Sequence, residues 1–149
     1  MITWQFKSFA ALTNIELYKI LQLRNEVFVV EQNYIYQDCD NIDVKSHHLS
    51  GWKDENIVAY SRILPPGIPY PGAASIGRVV TSSAVRGQYL GRELMSKSLE
   101  NLYSLFGPVP VIIGAQLYLT KFYESFSFIR RGDVYLEDGI QHVTMEKSI

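Results

Sequence analysis

The spacing of apolar residues alternates along the chain between the two-residue repeat of strands and the three-to-four-residue repeat of helices. Strand–helix–strand passages in the second half favour locally parallel pairing, while the first and last hairpins favour antiparallel pairing. We therefore expect a mixed α/β (α+β) fold, with a mostly antiparallel sheet of about seven strands flanked by helices. The predicted strands cover residues 3–7, 48–52, 57–64, 76–81, 111–115, 128–136 and 142–147, and the predicted helices begin near residues 13, 90 and 119. Thr13 and Glu16 have the spacing of a capping box, and the apolar spacing carries this first helix to about Val29 or Glu31.

Length, charge and cysteine content exclude several classes of protein. The chain has 149 residues and a net charge of -1, which favours a single domain over 1–149 and weighs against a nucleic-acid binder. The apolar run from Val27 to Val30 is too short to cross a membrane, and the first residues lack the layout of a signal peptide. Cys39 is the single cysteine, so an intramolecular disulfide and an all-thiolate zinc site are excluded. We expect a soluble, cytoplasmic protein.

The segment most informative about ligands follows the predicted strand at 76–81. A short loop leads into Arg-Gly-Gln-Tyr-Leu-Gly-Arg at residues 86–92, where the next helix begins. A helix N-terminus presents unpaired N–H groups and positive dipole character, which favour a phosphate. Gly87 and Gly91 allow a diphosphate to approach, and two arginines add charge. Alternatively, Gly87 only eases the entry into an ordinary helix. The spacing fits neither the Walker A nor the GxGxxG pattern.

Residues 86–91 resemble the Q/R-x-x-G-x-G/A acyl-CoA motif of the GNAT N-acetyltransferase superfamily, with Tyr89 in place of the middle glycine. Residues 23–32, 76–80 and 137–142 resemble the ElaA-type subgroup, so the likeness covers nearly the whole chain in the same order. It implies the GNAT fold and an acetyl-CoA-dependent N-acetyltransferase. The acceptor would be a primary amine of a small molecule or a protein, attacked directly in a ternary complex. Homodimers are frequent in this superfamily.

The resemblance also implies which residues hold acetyl-CoA. Backbone groups of Val79, Val80 and Thr81 would face the pantetheine, and the Gln116 side chain would lie near the same arm. The pyrophosphate would be held by the N–H groups of Arg86, Gly87, Gln88, Tyr89, Leu90, Gly91 and Arg92.

Acetyl transfer needs a neutral amine, proximity, a polarised carbonyl and a proton for the departing thiolate. A backbone N–H at Val79 or Val80 would polarise the carbonyl. Tyr123 is the candidate general acid, because a phenol (pKa ~10) and a thiol (pKa ~8.5) are close enough in acidity. It lies in a segment that resembles the family's F-Y-x-x-x-G-F ending, with Ser127 at the glycine position. Alternatively, Tyr123 is a core aromatic at helical spacing.

The sequence does not single out one residue as the general base. The strand segment at residues 75–79 contains no carboxylate, although many GNAT enzymes place a glutamate on or beside this strand. Candidate bases are therefore the acidic and histidine residues found elsewhere, or a chain of water molecules. Acidic residues would also attract a cationic acceptor, and the alternative is an exposed polar loop with structural histidines. The candidates for the base are Glu31, Asp40, Asp43, His47, His48 and His142, of which all but His47 are also expected to bind the acceptor.

Three rival interpretations remain at this point. Residues 38–43 followed by His47 and His48 raise the possibility of a metal site, but the spacing fits neither an EF-hand nor H-E-x-x-H, so no metal is expected. Cys39 lacks the glycine-framed turn of a nucleophile and is interpreted as a loop thiol. A non-catalytic acyl-CoA sensor of the same fold stays open, because Tyr89, Ser127 and the missing strand glutamate depart from the family pattern.

Overall fold

The computed structural model describes residues 1–87 and 89–149, and within them the predicted order of strands and helices is confirmed. The strands are β1 (Thr3–Ser8), β2 (His47–Lys53), β3 (Asn56–Leu64), β4 (Ser75–Thr81), β5 (Val111–Gln116), β6 (Ile129–Glu137) and β7 (Ile140–Lys147). The helices are α1 (Asn14–Arg24), α2 (Leu90–Phe106) and α3 (Thr120–Glu124). The mixed α+β class with largely antiparallel pairing is thus confirmed. The parallel pairing predicted for the second half is limited to one isolated bridge, because β7 lies between β5 and β6.

The strands form two sheets. One has the order β1-β2-β3-β4 and the other β5-β7-β6, and every ladder in them is antiparallel. The sheets meet where β4 and β5 begin, at a parallel bridge between Ala74 and Val111. Ala74 donates to the Pro110 carbonyl at 3.0 Å and accepts from the Ile112 N–H at 3.0 Å. Within the described ranges no ladder continues this pairing, so the two strands separate beyond it.

Helix α2 covers one face of the junction between the sheets. Its buried residues Met95, Leu99 and Leu102 belong to one core cluster with Ile76 of β4 and Ile113 of β5. Since side chains alternate across a strand, the neighbouring residues of β4 and β5 face the other side of the junction. α2 therefore closes the back of the gap between β4 and β5 and leaves its front open.

Helix α1 begins with the predicted capping box. The Thr13 hydroxyl accepts from the Glu16 N–H at 3.1 Å, and the Thr13 N–H donates to the Glu16 carboxylate at 2.8 Å. The helix continues as a π-helical segment over Asn25–Glu31, so it ends where the apolar spacing predicted. Ile20 and Val27 are buried against β3 and β4, which brings the end of this helix to the front of the junction. No helix in the described part of the chain is long and apolar enough to span a membrane.

Candidate active site

A cavity of about 570 Å³ lies at the front of the junction, where β4 and β5 separate. The walls are supplied by β4, by the far half of β5, by the π-helical segment, by the loop around residues 36–42 and by the β6–β7 hairpin. A shallower depression adjoins it at the N-terminus of α2 and shares Thr81, Arg86, Gly91 and Phe122 with it. One continuous groove thus runs from the α2 N-terminus into the gap between the sheets.

Strand β4 carries a β-bulge in the wall of this cavity. Tyr60 of β3 pairs with Val80 of β4, and Arg62 of β3 pairs with Gly77 of β4. Two residues of β4, Arg78 and Val79, therefore lie opposite a single residue of β3. Arg78 adopts a left-handed φ of 50°, which non-glycine residues take rarely. A bulge bends its strand and redirects backbone groups. The bulge includes Val79, the first of the three residues predicted to face the pantetheine, and all three line the cavity: Val79, Val80 and Thr81.

The turn predicted to hold the pyrophosphate has left-handed backbone at two described positions, Gly87 with φ 84° and Tyr89 with φ 58°. The Tyr89 side chain is 82% exposed, so its ring does not fill the turn. Gly91 lies in the first turn of α2, with no atom within 4 Å of the place a Cβ would take. Leu90 is buried and offers only its backbone. Gln88, which was predicted to bind the cofactor, lies outside the described residues.

The two arginines of the turn have different partners. Arg86 forms an ion pair with Glu31 at the end of the π-helical segment and donates to the Thr81 carbonyl at 3.1 Å. Arg92 lies over the Phe126 ring at 4.8 Å and donates to the Ser125 hydroxyl at 3.0 Å. The Arg86 side chain therefore crosses the groove from the turn to the end of the first helix. The Arg92 side chain instead connects α2 to the segment that follows α3.

Tyr123 both packs in the core and lines the cavity. It is 6% exposed and meets Phe122 and Phe128 edge-on. Burial, helped by the nearby Tyr118, raises the pKa of Tyr123 to about 12, so the phenol keeps its proton at neutral pH. Ser127 takes a left-handed φ of 73°, the conformation that a glycine would have at this position. The two interpretations of Tyr123, core aromatic and cavity residue, are therefore compatible.

The aspartates of the loop at residues 38–43 bind arginines, an arrangement that the sequence analysis missed. Arg24 is fully buried and donates to Asp38 and Asp43, each at 2.8 Å. Arg78 donates to the Asp38 carboxylate at 2.8 Å and to its backbone carbonyl at 3.0 Å. Arg24 occupies the apolar stripe of the first helix, and a charged residue in such a stripe is the signal that could have revealed the network.

Asp40 and Asp43 are held in their ionised forms. Asp40 receives two hydrogen bonds from Arg62, at 2.8 and 3.0 Å, and Asp43 receives one at 3.0 Å. Burial by itself raises the pKa of each carboxyl, but the arginine hydrogen bonds and charges outweigh it and hold both pKa values below the ordinary range. Asp40 lines the cavity, while Asp43 is buried beneath it. The loop is thus partly buried and braced, which differs from the exposed polar loop considered as an alternative.

The histidines are separated by the fold. His48 is fully buried away from the cavity, with Nδ1 at 2.6 Å from the Tyr60 hydroxyl and Nε2 at 2.9 Å from the Asp43 carbonyl. Burial lowers the pKa of His48 and keeps it neutral. His142 lines the cavity and stacks on Tyr135 with ring centroids 5.8 Å apart. Of the predicted acceptor-binding residues, the structure brings together Glu31, Asp40 and His142 at the cavity, and places Asp43 and His48 outside its lining.

Gln116, predicted to lie near the cofactor arm, ends β5 on the cavity wall, and its Oε1 lies 3.5 Å from the Gln32 Nε2. Two strand positions before it, Gly114 allows the Tyr135 hydroxyl to approach closely, because a Cβ there would lie 2.8 Å from that oxygen. Among the described residues, no group of three or more His, Cys, Asp or Glu side chains is arranged to hold a metal ion.

Comparisons with known proteins agree with this architecture. A model of the acetyltransferase (GNAT) domain family matches residues 19–149. The Escherichia coli protein ElaA is 45% identical, with 100% of this chain and 98% of ElaA covered. A UPF0039 protein from Synechocystis is 39% identical, with 97% of this chain and 94% of the relative covered.

Solved structures extend the likeness to three dimensions. The structure of an acyl-CoA N-acyltransferase from Pseudomonas aeruginosa superposes with a TM-score of 0.95 at 44% identity, covering 99% of this chain and 100% of that chain. The structure of Escherichia coli ElaA gives a TM-score of 0.92 at 45% identity, with the same coverage of 99% and 100%.

Proposed function

Since the chain belongs to the GNAT acetyltransferase family, as its sequence resemblance implied, we propose that it transfers an acetyl group from acetyl-CoA to a primary amine of a small molecule. The family and the full-length relatives support acyltransferase activity. The observation that carries the finer proposal is the β4 bulge at Arg78 and Val79, which faces the cavity where β4 and β5 separate. Such a gap admits an extended arm between two strands, with backbone groups of β4 available along it.

In the proposed complex, the cofactor follows the continuous groove. The pyrophosphate lies at the N-terminus of α2, where free N–H groups and the helix dipole favour an anion. Gly91 leaves room for it, because nothing lies within 4 Å of its missing Cβ. The pantetheine runs along Val79–Thr81 of β4, and the thioester reaches the bulge with Gln116 across the gap.

The proposed reaction is direct attack of the amine on the thioester carbonyl. A backbone N–H at Val79 or Val80 stabilises the developing oxyanion, a contribution of about 3 kcal/mol in comparable acyl-transfer sites. Tyr123 gives the departing thiolate its proton. At a pKa of about 12 the phenol is protonated at neutral pH but is a weaker acid than a thiol (~8.5), so the transfer is completed when the phenolate regains a proton. Cys39 is exposed on its loop and does not line the cavity, so an acyl-enzyme on this thiol is disfavoured.

The test uses the purified protein with acetyl-CoA and a panel comprising a polyamine, an amino sugar, free amino acids and a lysine peptide. We expect free thiol release that depends on one class of amine, with an acetylated product of matching mass. Longer acyl-CoA donors in parallel measure the preference for acetyl. Binding of acetyl-CoA without turnover on any amine would favour the alternative, a sensor of the same fold.

A further inference from the structure

A row of three side chains crosses the front of the second sheet beside the gap. Tyr135 on β6 pairs in register with His142 on β7, and His142 pairs in register with Gln116 on β5. All three line the cavity. His142 lies on β7, the neighbour of β5, and β5 forms the wall opposite the β4 bulge. Neighbouring strands lie roughly 4.8 Å apart, so His142 is one strand away from that wall. The fold therefore places a histidine on the cavity wall, on the strand next to β5.

The hydrogen bonding of His142 leaves one ring nitrogen, Nε2, able to accept a proton. Nδ1 lies 2.8 Å from the Ile140 carbonyl, and since a carbonyl only accepts, Nδ1 carries the hydrogen. In the neutral ring, Nε2 then holds the free lone pair. The Glu137 carboxylate lies 3.5 Å from Nε2, where it stabilises an imidazolium once the proton has arrived.

The other candidate bases are engaged or distant. Asp40 is bound by Arg62, and Glu31 is paired with Arg86 on the cofactor side of the groove. Both ring nitrogens of His48 have partners away from the cavity. His47 stacks on Phe6 and does not line the cavity. Among the candidates raised from the sequence, His142 combines a place on the cavity wall with a ring nitrogen that can take a proton.

We propose, on the premise of the proposed function, that His142 Nε2 is the base that deprotonates a protonated primary amine held beside Glu137. The ammonium gives one proton to Nε2, and its freed lone pair forms the C–N bond with the thioester carbonyl. The C–S bond breaks with its electrons on sulfur, which takes the Tyr123 proton. The second proton of the nitrogen restores Tyr123, and His142 releases its proton to solvent.

The surroundings of His142 suit a cation. Glu137 and Asp138 from the β6–β7 turn line this end of the cavity, with Tyr135 and Tyr70 as aromatic walls. Burial, together with the nearby Glu137, raises the pKa of both tyrosines, so they stay neutral. A positively charged amine is therefore drawn to carboxylates and aromatic faces.

The experiment compares His142→Gln with the matched control His47→Gln, which removes a histidine outside the cavity. The probes are the amine acetylated fastest by the wild type and hydroxylamine, which is already unprotonated at neutral pH. We expect His142→Gln to keep its acetyl-CoA Kd within twofold while kcat/KM for the protonated amine falls about 100-fold. The remaining activity should rise with pH as the amine itself loses its proton in solution, and the loss with hydroxylamine should stay below about 10-fold.

Glu137→Gln provides a second reading in case His142→Gln misfolds. It should lower kcat/KM for the protonated amine about 10-fold, leave hydroxylamine transfer little changed and leave acetyl-CoA binding intact. Equal losses with both acceptors, or full activity of His142→Gln, would overturn the role of His142 while the proposed function stands. A wild-type protein that acetylates no amine would overturn the proposed function and the base together.

Discussion

Tyr123 shows how one residue can serve packing and chemistry together. Its ring meets two phenylalanines edge-on, and the same burial that holds it raises its pKa to about 12. A phenol with that pKa stays protonated across the physiological range, as a proton donor must. Tyr123 loses its proton only well above the physiological range. A change in activity at any pH below about 10 therefore has another cause than ionisation of Tyr123.

Replacing Tyr123 by phenylalanine should separate chemistry from binding. We expect kcat to fall about 100-fold, because the thiolate loses its proton donor, while the acetyl-CoA Kd changes less than twofold. The ring contacts remain, so the free energy of unfolding should change by less than about 1 kcal/mol. Steady-state kinetics and calorimetry check this, with Tyr103→Phe as a control outside the cavity lining. Equal activity of the two variants would remove the proposed acid role.

At the scale of elements, the site depends on two departures from regular structure. The β4 bulge bends the strand at Arg78, and β5 leaves β4 after a single bridge. Helix α2 then begins directly after the left-handed Tyr89, so its N-terminus faces the groove. The bulge directs backbone groups toward the gap, and the helix supplies the positive end of a dipole.

Comparing Gly91→Glu with Gly91→Gln measures the effect of a negative charge at the α2 N-terminus, because the two side chains have nearly the same size. Both side chains have space at the Cβ position, and an acid in the first helical turn favours the helix, so the fold should persist. We expect the glutamate variant to bind acetyl-CoA at least 10-fold more weakly than the glutamine variant, with the difference shrinking at high salt. Titration calorimetry at two salt concentrations measures it. Matching affinities would show that the pyrophosphate lies elsewhere.

At the scale of the whole molecule, the aspartate–arginine network joins the loop before β2 to the first helix and to the four-stranded sheet. It combines Asp38, Asp40 and Asp43 with Arg24, Arg62 and Arg78. Three negative charges meet three positive ones, so the largely buried network is neutral as a whole. Removing one partner would leave a buried charge uncompensated, which is costly.

The network predicts a loss of stability in acid. The pKa values of Asp40 and Asp43 are lowered in the folded protein, so their contribution is complete above the unfolded value near 4 and is lost as the pH falls below it. Asp43→Asn should reduce the free energy of unfolding at pH 7 by about 3 kcal/mol and flatten its acid dependence. Urea unfolding from pH 7 to pH 3 tests this. Asp54→Asn, in the exposed β2–β3 turn, should behave as the wild type, and an equal pH dependence of the two variants would contradict the assignment.

Sequence reasoning succeeded where the relevant partners are close along the chain. The capping box at Thr13 and Glu16 spans three residues, and the predicted start of the second helix near residue 90 is confirmed. It failed where partners are distant: Arg78 meets Asp38 across 40 positions, and Arg24 meets Asp43 across 19. Such pairs follow from how strands and loops are stacked, which local periodicity does not encode.

The sequence by itself determined the alternation of strands and helices, the loop that opens α2 and the family resemblance, because apolar spacing, caps and glycine turns act through near neighbours. The tertiary structure alone decided that the sheet divides after the Ala74–Val111 bridge, that β4 bulges at Arg78 and that His142, unlike His48, reaches the cavity. The physical reason is register: a one-residue shift between distant strands moves a side chain to the opposite face, and only the packed sheets fix that choice.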